Sequence, residues 1–161
     1  MYTVFLLSMN SSIDINSVCK KISEGVDPIY AVPEDLTHIA DGSERTVYRY
    51  DKDYVIKFSM SPSDSINQNV REKSFYDRVK NTPISHLFAE INPKTDNNKV
   101  NSYIIQEYIN HRTPVLKSEI EEWVRKANEY NIEVHDDRPV NFGYRGNQLV
   151  MLDYAGCFFT N

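Results

Sequence analysis

Residues 134–157, VHDDRPVNFGYRGNQLVMLDYAGC, decide how the rest of the chain is read. Asp136 and Asn141 stand five residues apart with Pro139 between them. Asp153 follows after a Phe142–Tyr144 strand, an Arg145–Gln148 turn and an apolar Leu149–Leu152 strand. Pro139 fixes its own φ and pushes its predecessor toward extended backbone, so Asp136–Asn141 is expected as a fixed loop rather than a helix. An acid, an amide and a second acid can then be aimed at one point. Asn and Asp offer hard oxygen ligands of the kind magnesium takes, while a separate Asp can orient or deprotonate a hydroxyl. Those are the parts that chemistry on a metal-bound phosphate requires. The plainer alternative is a hairpin with solvated Asp and Asn in its turns, where both residues are common.

Composition bounds the rest. The chain has 161 residues, 40% hydrophobic and 12% aromatic, enough for one domain or for two small lobes sharing a cleft. Net charge is −5, and no Lys/Arg run exceeds the pair Lys20-Lys21, which argues against a nucleic-acid backbone or an anionic membrane as main partner. Any phosphate must be bound locally. Two cysteines, Cys19 and Cys157, make neither a disulfide framework nor a metal knuckle and are expected as reduced thiols. The apolar opening Tyr2–Met9 is far short of the roughly 20 residues of a membrane span and has no basic leader, so a strand and a cytoplasmic protein are expected.

Working outward along the chain, Ile15, Val18, Cys19 and Ile22 recur at helical spacing within Ser12–Glu24, with Gly25 as a stop. Asp27–Pro33 reads as a connector and Asp35–Ala40 as the start of a sheet. Gly42 and Ser43 form the turn of a hairpin that ends in Val47; the glycine permits close backbone approach and the serine offers a hydroxyl and an N–H. After the turn Asp51–Asp53, Tyr54–Phe58 is a strand whose Lys57 interrupts an apolar run. A lysine there either faces solvent by alternation or reaches an anion. Pro62–Lys80 is expected as a helix capped by Ser63 or Ser65, with Ile66, Val70, Phe75, Tyr76 and Val79 on its apolar face. Glu72, 15 residues after Lys57 and beside that face, is the expected partner of the lysine, ahead of Glu90. His86–Asn92 and Val100–Ile109 complete a five-stranded sheet around the turn Asp96-Asn97-Asn98. Ser118-Glu119-Ile120-Glu121 reads as a capping box opening a helix to Asn131, with Ile120, Trp123, Val124, Ala127 and Tyr130 inward.

Taken together, these segments resemble the protein kinase-like family. Asp136-Asp137-Arg138-Pro139-Val140-Asn141 is similar to the family's Asp-x-x-x-x-Asn catalytic loop, and Asp153-Tyr154-Ala155 stands where the family has Asp-Phe-Gly. Val55-Ile56-Lys57 looks like its Val-Ala-Ile-Lys strand, the Gly42 hairpin like its phosphate-covering loop, and Tyr103–Ile109 like the strand that runs into the hinge. The pattern departs at Ala155, at Ala40 and Arg45, which stand where further glycines would be, and at His135, which directly precedes Asp136. A register of His135-x-Asp137 restores the histidine spacing but leaves Asn141 only four residues on; Asp136 is preferred.

The resemblance implies an α+β fold: a small lobe of twisted antiparallel sheet plus helix, and a truncated large lobe. It divides the chain into an extension over 1–33, a small lobe over 34–109 and a large-lobe remnant over 110–161 that lacks an activation segment and a peptide-docking platform. It further implies ATP held by Gly42, Ser43, Val47 and Lys57, with backbone groups of Glu107 and Ile109 on the adenine and Mg2+ on Asn141 and Asp153. Asp136 would orient an acceptor hydroxyl, Arg138 would steady the transferred phosphoryl group, and Glu72 would pair with Lys57. The expected activity is transfer of the ATP γ-phosphoryl group to a hydroxyl, on a protein. The alternatives are a nucleotide-binding pseudokinase acting through protein association and an interaction module without nucleotide. Retention of the whole polar set favours the enzyme, because a scaffold has no physical need for it.

Overall fold

A computed structural model describes residues 14–34, 36–60, 68–92, 103–110 and 114–160. The expected strand at Tyr2–Met9, the Ser63 or Ser65 cap, Ile66 and the turn at Asp96-Asn97-Asn98 lie outside them.

The sheet is built from β1 (Thr37–Asp41), β2 (Arg45–Arg49), β3 (Tyr54–Ser59), β4 (Ile91–Asn92) and β5 (Tyr103–Glu107). It is antiparallel throughout, in the order β1-β2-β3-β5-β4. Strand alternation sorts its side chains onto two faces. Tyr48, Ile56, Phe58 and Ile105 form a core with Val18, Ile22, Ala31 and Val32 of the N-terminal segment. That segment folds as α1 (Ile15–Ser23) and α2 (Pro28–Ala31). Asp14 caps the first through Ser17 N–H at 3.1 Å, and Gly25 closes it with φ +87°, a conformation that favours glycine. Asp27 caps the second through Ile29 N–H at 2.9 Å, with Pro28 in the first turn, so the expected connector contains a short helix. The opposite sheet face carries Arg45, Val47, Val55, Lys57 and Gln106, and it looks into a cleft.

Helix α3 (Gln68–Val79) lies against that second face and buries Asn69, Glu72, Phe75 and Val79. Val70, expected inward, is exposed: the stripe that turns to the sheet contains two polar residues, because what awaits them there is Lys57 and Arg45 rather than apolar surface. A second core joins α3 to the C-terminal part of the chain. In it Phe75, Phe88, Trp123, Phe142 and Tyr154 pack edge-on or tilted at centroid distances between 5.1 and 5.8 Å, an arrangement that aromatic quadrupoles favour. Trp123 Nε1–H donates to Leu87 O at 3.2 Å and Tyr154 Oη–H to Ala89 O at 2.9 Å, so both buried polar handles are satisfied.

Three expectations for this region are corrected. His86–Glu90 is not a strand of the sheet: a 3-10 turn occupies Ser85–Leu87, Phe88 makes an isolated parallel bridge to Met151, and pairing with β5 is confined to Ile91–Asn92. Ser118 is not a cap, since α4 (Lys117–Asn128) is capped two residues earlier, at Leu116, and Glu119 accepts from the Leu116 N–H at 3.3 Å. Tyr130, expected inward, is exposed because the helix has already ended and Asn131 turns the chain with φ +58°. Beyond α4 the chain forms β6 (Ile132–Val134), β7 (Phe142–Arg145), β8 (Gln148–Met151) and β9 (Cys157–Phe159), paired as β6 with β9 and β7 with β8. Between β6 and β7, Pro139–Asn141 closes as a single 3-10 turn, so the fixed loop ends in a helical turn that Pro139 begins.

Candidate functional site

A cleft of about 640 Å³ opens between the sheet and the two segments that flank the β7–β8 hairpin, Arg138–Asn141 and Leu152–Asp153. Gly42 and Ser43 line it from the β1–β2 turn, which Gly42 N–H closes on Arg45 O at 2.7 Å. A Cβ on Gly42 would meet that oxygen at 3.6 Å, an ordinary contact, so the turn itself does not demand glycine. Val47, Val55, Ile109 and Leu152 give the cleft apolar walls, and Gln106, Glu107 and Tyr108 join Ile109 along the segment leaving β5. Glu107 N–H donates to Glu90 O at 3.0 Å and Tyr108 N–H to Asp53 O at 2.7 Å, so neither amide points to a ligand. Gly143 of β7 lies beneath this segment; a Cβ there would stand 2.7 Å from Ile109 Cγ2.

Four charges occupy the inner end. Lys57 Nζ donates to Glu72 Oε1 at 2.8 Å and to Leu152 O at 2.7 Å. With β3 covered on both faces, alternation offers the lysine no solvent, and the anion it reaches is Glu72, itself fully buried. Arg45 is the neighbour that sequence reasoning missed. Its guanidinium, also buried, donates to the other Glu72 oxygen, to Asn69 Oδ1 at 3.1 Å and to Asp153 Oδ1 at 2.6 Å. Asn69 in turn donates to Lys57 O at 2.9 Å. The signal was present as a period of two: Arg45 lies on the same strand face as Val47. Burial works against the charged forms of both cations. It prevails at Lys57, whose pKa is lowered; at Arg45, Glu72 and Asp153 outweigh it, and the pKa is raised. Burial also opposes ionisation of Asp153, but Arg45 and Lys57 outweigh it and hold that carboxyl below its ordinary range. Gln106 was missed as well. Its Nε2 donates to Leu152 O at 2.9 Å, and its buried Oε1 has no hydrogen bond among the described residues.

The Asp136–Asn141 loop sits at the outer end. Arg138 and Asn141 line the cleft, whereas Asp136 does not; it is joined to both. Arg138 grips it through two donors at 2.6 and 2.7 Å, and Asn141 Nδ2 donates to Asp136 O at 3.1 Å. The Arg138 hydrogen bonds are the main reason that the Asp136 carboxyl titrates below its usual range. Asp137 is exposed. Two backbone bonds fasten the loop to the strand end that carries Asp153: Leu152 N–H to Asn141 O at 2.7 Å and His135 N–H to Gly156 O at 3.1 Å. Lys57, Asn141 and Asp153 thus line one cleft, with Glu72 beneath Lys57.

Asn141 and Asp153 both line the cleft and each carries a hard side-chain oxygen, and the Asp153 side chain is 43% exposed, a donor set that fits magnesium. Among the described residues no cluster of three or more His, Cys, Asp or Glu could hold a metal by itself, so further ligands would come from a substrate or water. No described helix is long and apolar enough to cross a membrane.

No known family pattern and no curated protein matches the chain by sequence. Solved structures do match. The chain is similar to a Legionella pneumophila kinase, Lpg2603, solved bound to IP6, with a TM-score of 0.52 and 22% identity, over 80% of this chain and 52% of that one. It is also similar to the aminoglycoside phosphotransferase APH(2'')-IIa in its streptomycin–ATP complex, with a TM-score of 0.53 and 14% identity, over 88% and 73% of the two chains. The fold is therefore protein kinase-like, and this chain spans about half the length of the Legionella kinase.

Proposed function

We propose that the protein is a minimal kinase-like phosphotransferase that moves the γ-phosphoryl group of ATP to a hydroxyl. The observation that carries this reading is the buried Lys57–Glu72 pair opening into the same cleft as Asn141 and Asp153. A buried ion pair is costly to form and contributes little to stability by itself, so its presence at a cleft wall calls for a ligand. In this reading the base lies between Val47, Val55 and Leu152, with the Glu107 carbonyl and Ile109 N–H on its edge. Lys57 and the Gly42-Ser43 turn hold the phosphates, and Asn141 and Asp153 hold magnesium, which when bound supplies positive charge against the phosphate oxygens. The acceptor oxygen attacks the γ-phosphorus, the bond to the bridging oxygen breaks and ADP leaves. Asp136 takes the hydroxyl proton, and Arg138 swings from Asp136 to the transferred group. A protein acceptor, and a partner that completes the large-lobe surface, extend the reading; both neighbours are kinase-like, the first solved bound to IP6 and the second to streptomycin and ATP.

A pseudokinase is the second reading, and one feature favours it: Asp136 and Asp153 are each already paired with an arginine. Incubation with labelled ATP, magnesium and a cell lysate, with streptomycin and a generic peptide as added acceptors, separates the two. Transfer by wild type that disappears in Asp136→Asn but survives in Asp137→Asn supports the enzyme and the Asp136 register. A larger loss in Asp137→Asn moves the register by one residue. Nucleotide binding without transfer to any acceptor supports the pseudokinase.

A further inference from the structure

Resting on the nucleotide-site reading, we infer that Arg45 is a built-in phosphate-side cation, and that it allows the cleft to bind a nucleoside triphosphate without a divalent ion. A triphosphate is strongly anionic. A site made of Lys57, Glu72 and Asp153 alone would carry one net negative charge and would repel it unless a metal ion intervened. In this protein Arg45 brings the inner cluster to two cations and two carboxylates, with every close pair in direct contact: Lys57 with Glu72 at 2.8 Å, Arg45 with Asp153 at 2.6 Å, and Arg45 with Glu72. At the outer end Asp136 is likewise neutralised, by Arg138.

The placement of Arg45 is built rather than incidental. Its side chain is 4% exposed, Asn69 and Glu72 fix two of its contacts from α3, and Asp153 lies on the chain segment opposite. It lines the cleft beside Gly42 and Ser43, where phosphates would lie. A guanidinium also presents several donors in a fixed fork that suits phosphate oxygens, so it can shift one of them from Asp153 to a phosphate while keeping Glu72.

Calorimetric titration with ATP, run once in EDTA and once in magnesium, tests the inference. Wild type is expected to bind in EDTA, with the two dissociation constants differing by less than about tenfold. Arg45→Gln is expected to lose more than about tenfold in EDTA and to recover most of that in magnesium. Arg45→Lys, which keeps the charge, should retain binding in EDTA and serves as the control if the Gln variant is too unstable to purify. Wild type that binds in magnesium but not in EDTA overturns the inference and leaves the nucleotide site standing. So does Arg45→Gln binding like wild type in EDTA. Absence of binding in both buffers removes the nucleotide-site reading itself, and this inference with it.

Discussion

Glu72 is the residue on which the inner cleft turns, because it receives Lys57 on one oxygen and Arg45 on the other while itself fully buried. Removing one member of a buried pair leaves the other charge uncompensated, at a cost of about 3–5 kcal/mol. Glu72→Gln should therefore destabilise by about that range, since it strips Lys57 of its carboxylate and leaves Arg45 with Asp153 alone. Lys57→Met should cost less, because Arg45 still pairs with Glu72. Urea unfolding of the two variants checks the order, and Glu72→Gln within about 0.5 kcal/mol of wild type, a surface-substitution effect, would mean that the cluster does not exist as described. At this scale the sequence was informative where chemistry is unusual. A lysine in an apolar strand and a glutamate beside a helix stripe both stood out, and the structure joins them. Arg45 did not stand out, because an arginine near a turn looks solvated until the covering helix is in place. Asn69 and Gln106 escaped for the same reason: burial of a polar side chain is a tertiary fact.

Among the elements, the loop and hairpin from Asp136 to Asp153 carry two carboxyls whose pKa values lie below the ordinary range. A folded-state pKa lowered in this way contributes stability that is fully present above the unfolded value, near 4, and is lost as pH falls through the folded value. Stability to urea should thus be nearly flat from neutral pH to about 5 and fall below about 4. Asp136→Asn should flatten that fall, and an unchanged acid slope in the variant would contradict the Arg138 pairing. The β7 strand makes a second testable link. Gly143→Ala places a methyl 2.7 Å from Ile109 Cγ2 and 3.3 Å from Leu152 Cδ1, so the side chains of these two cleft-lining residues must give way. Overpacking of this kind costs about 1–3 kcal/mol. Nucleotide affinity measured alongside stability should fall too, and unchanged affinity would remove Ile109 from the base-binding edge. The strands with alternating or β-branched residues were legible in sequence. The misplaced strand at His86–Glu90 and the misplaced cap at Ser118 show where local signals yield. Phe88 and Leu87 are apolar because they fill the core against Trp123, not because they pair in the sheet. Ser118 looked like a cap, but the chain from Leu116 already enters the helix with extended backbone before it.

For the molecule as a whole, the two cores place the N-terminal helices on one face of the sheet and leave the other face for the cleft. The kinase-like order of parts could be read from sequence because each part is a short motif with its own chemistry. The packing of α1 and α2 onto the sheet could not be read, since an amphipathic helix does not say which surface it covers. The central claim is that this cleft is a nucleotide site, and the most direct measurement is the melting temperature with and without ATP. A ligand that binds the folded state at 100 times its dissociation constant adds about 2.7 kcal/mol, so saturating ATP should raise the melting temperature of wild type by several degrees. Lys57→Met should show no such rise. A wild-type melting temperature unmoved at millimolar ATP, in magnesium and in EDTA alike, would contradict the account.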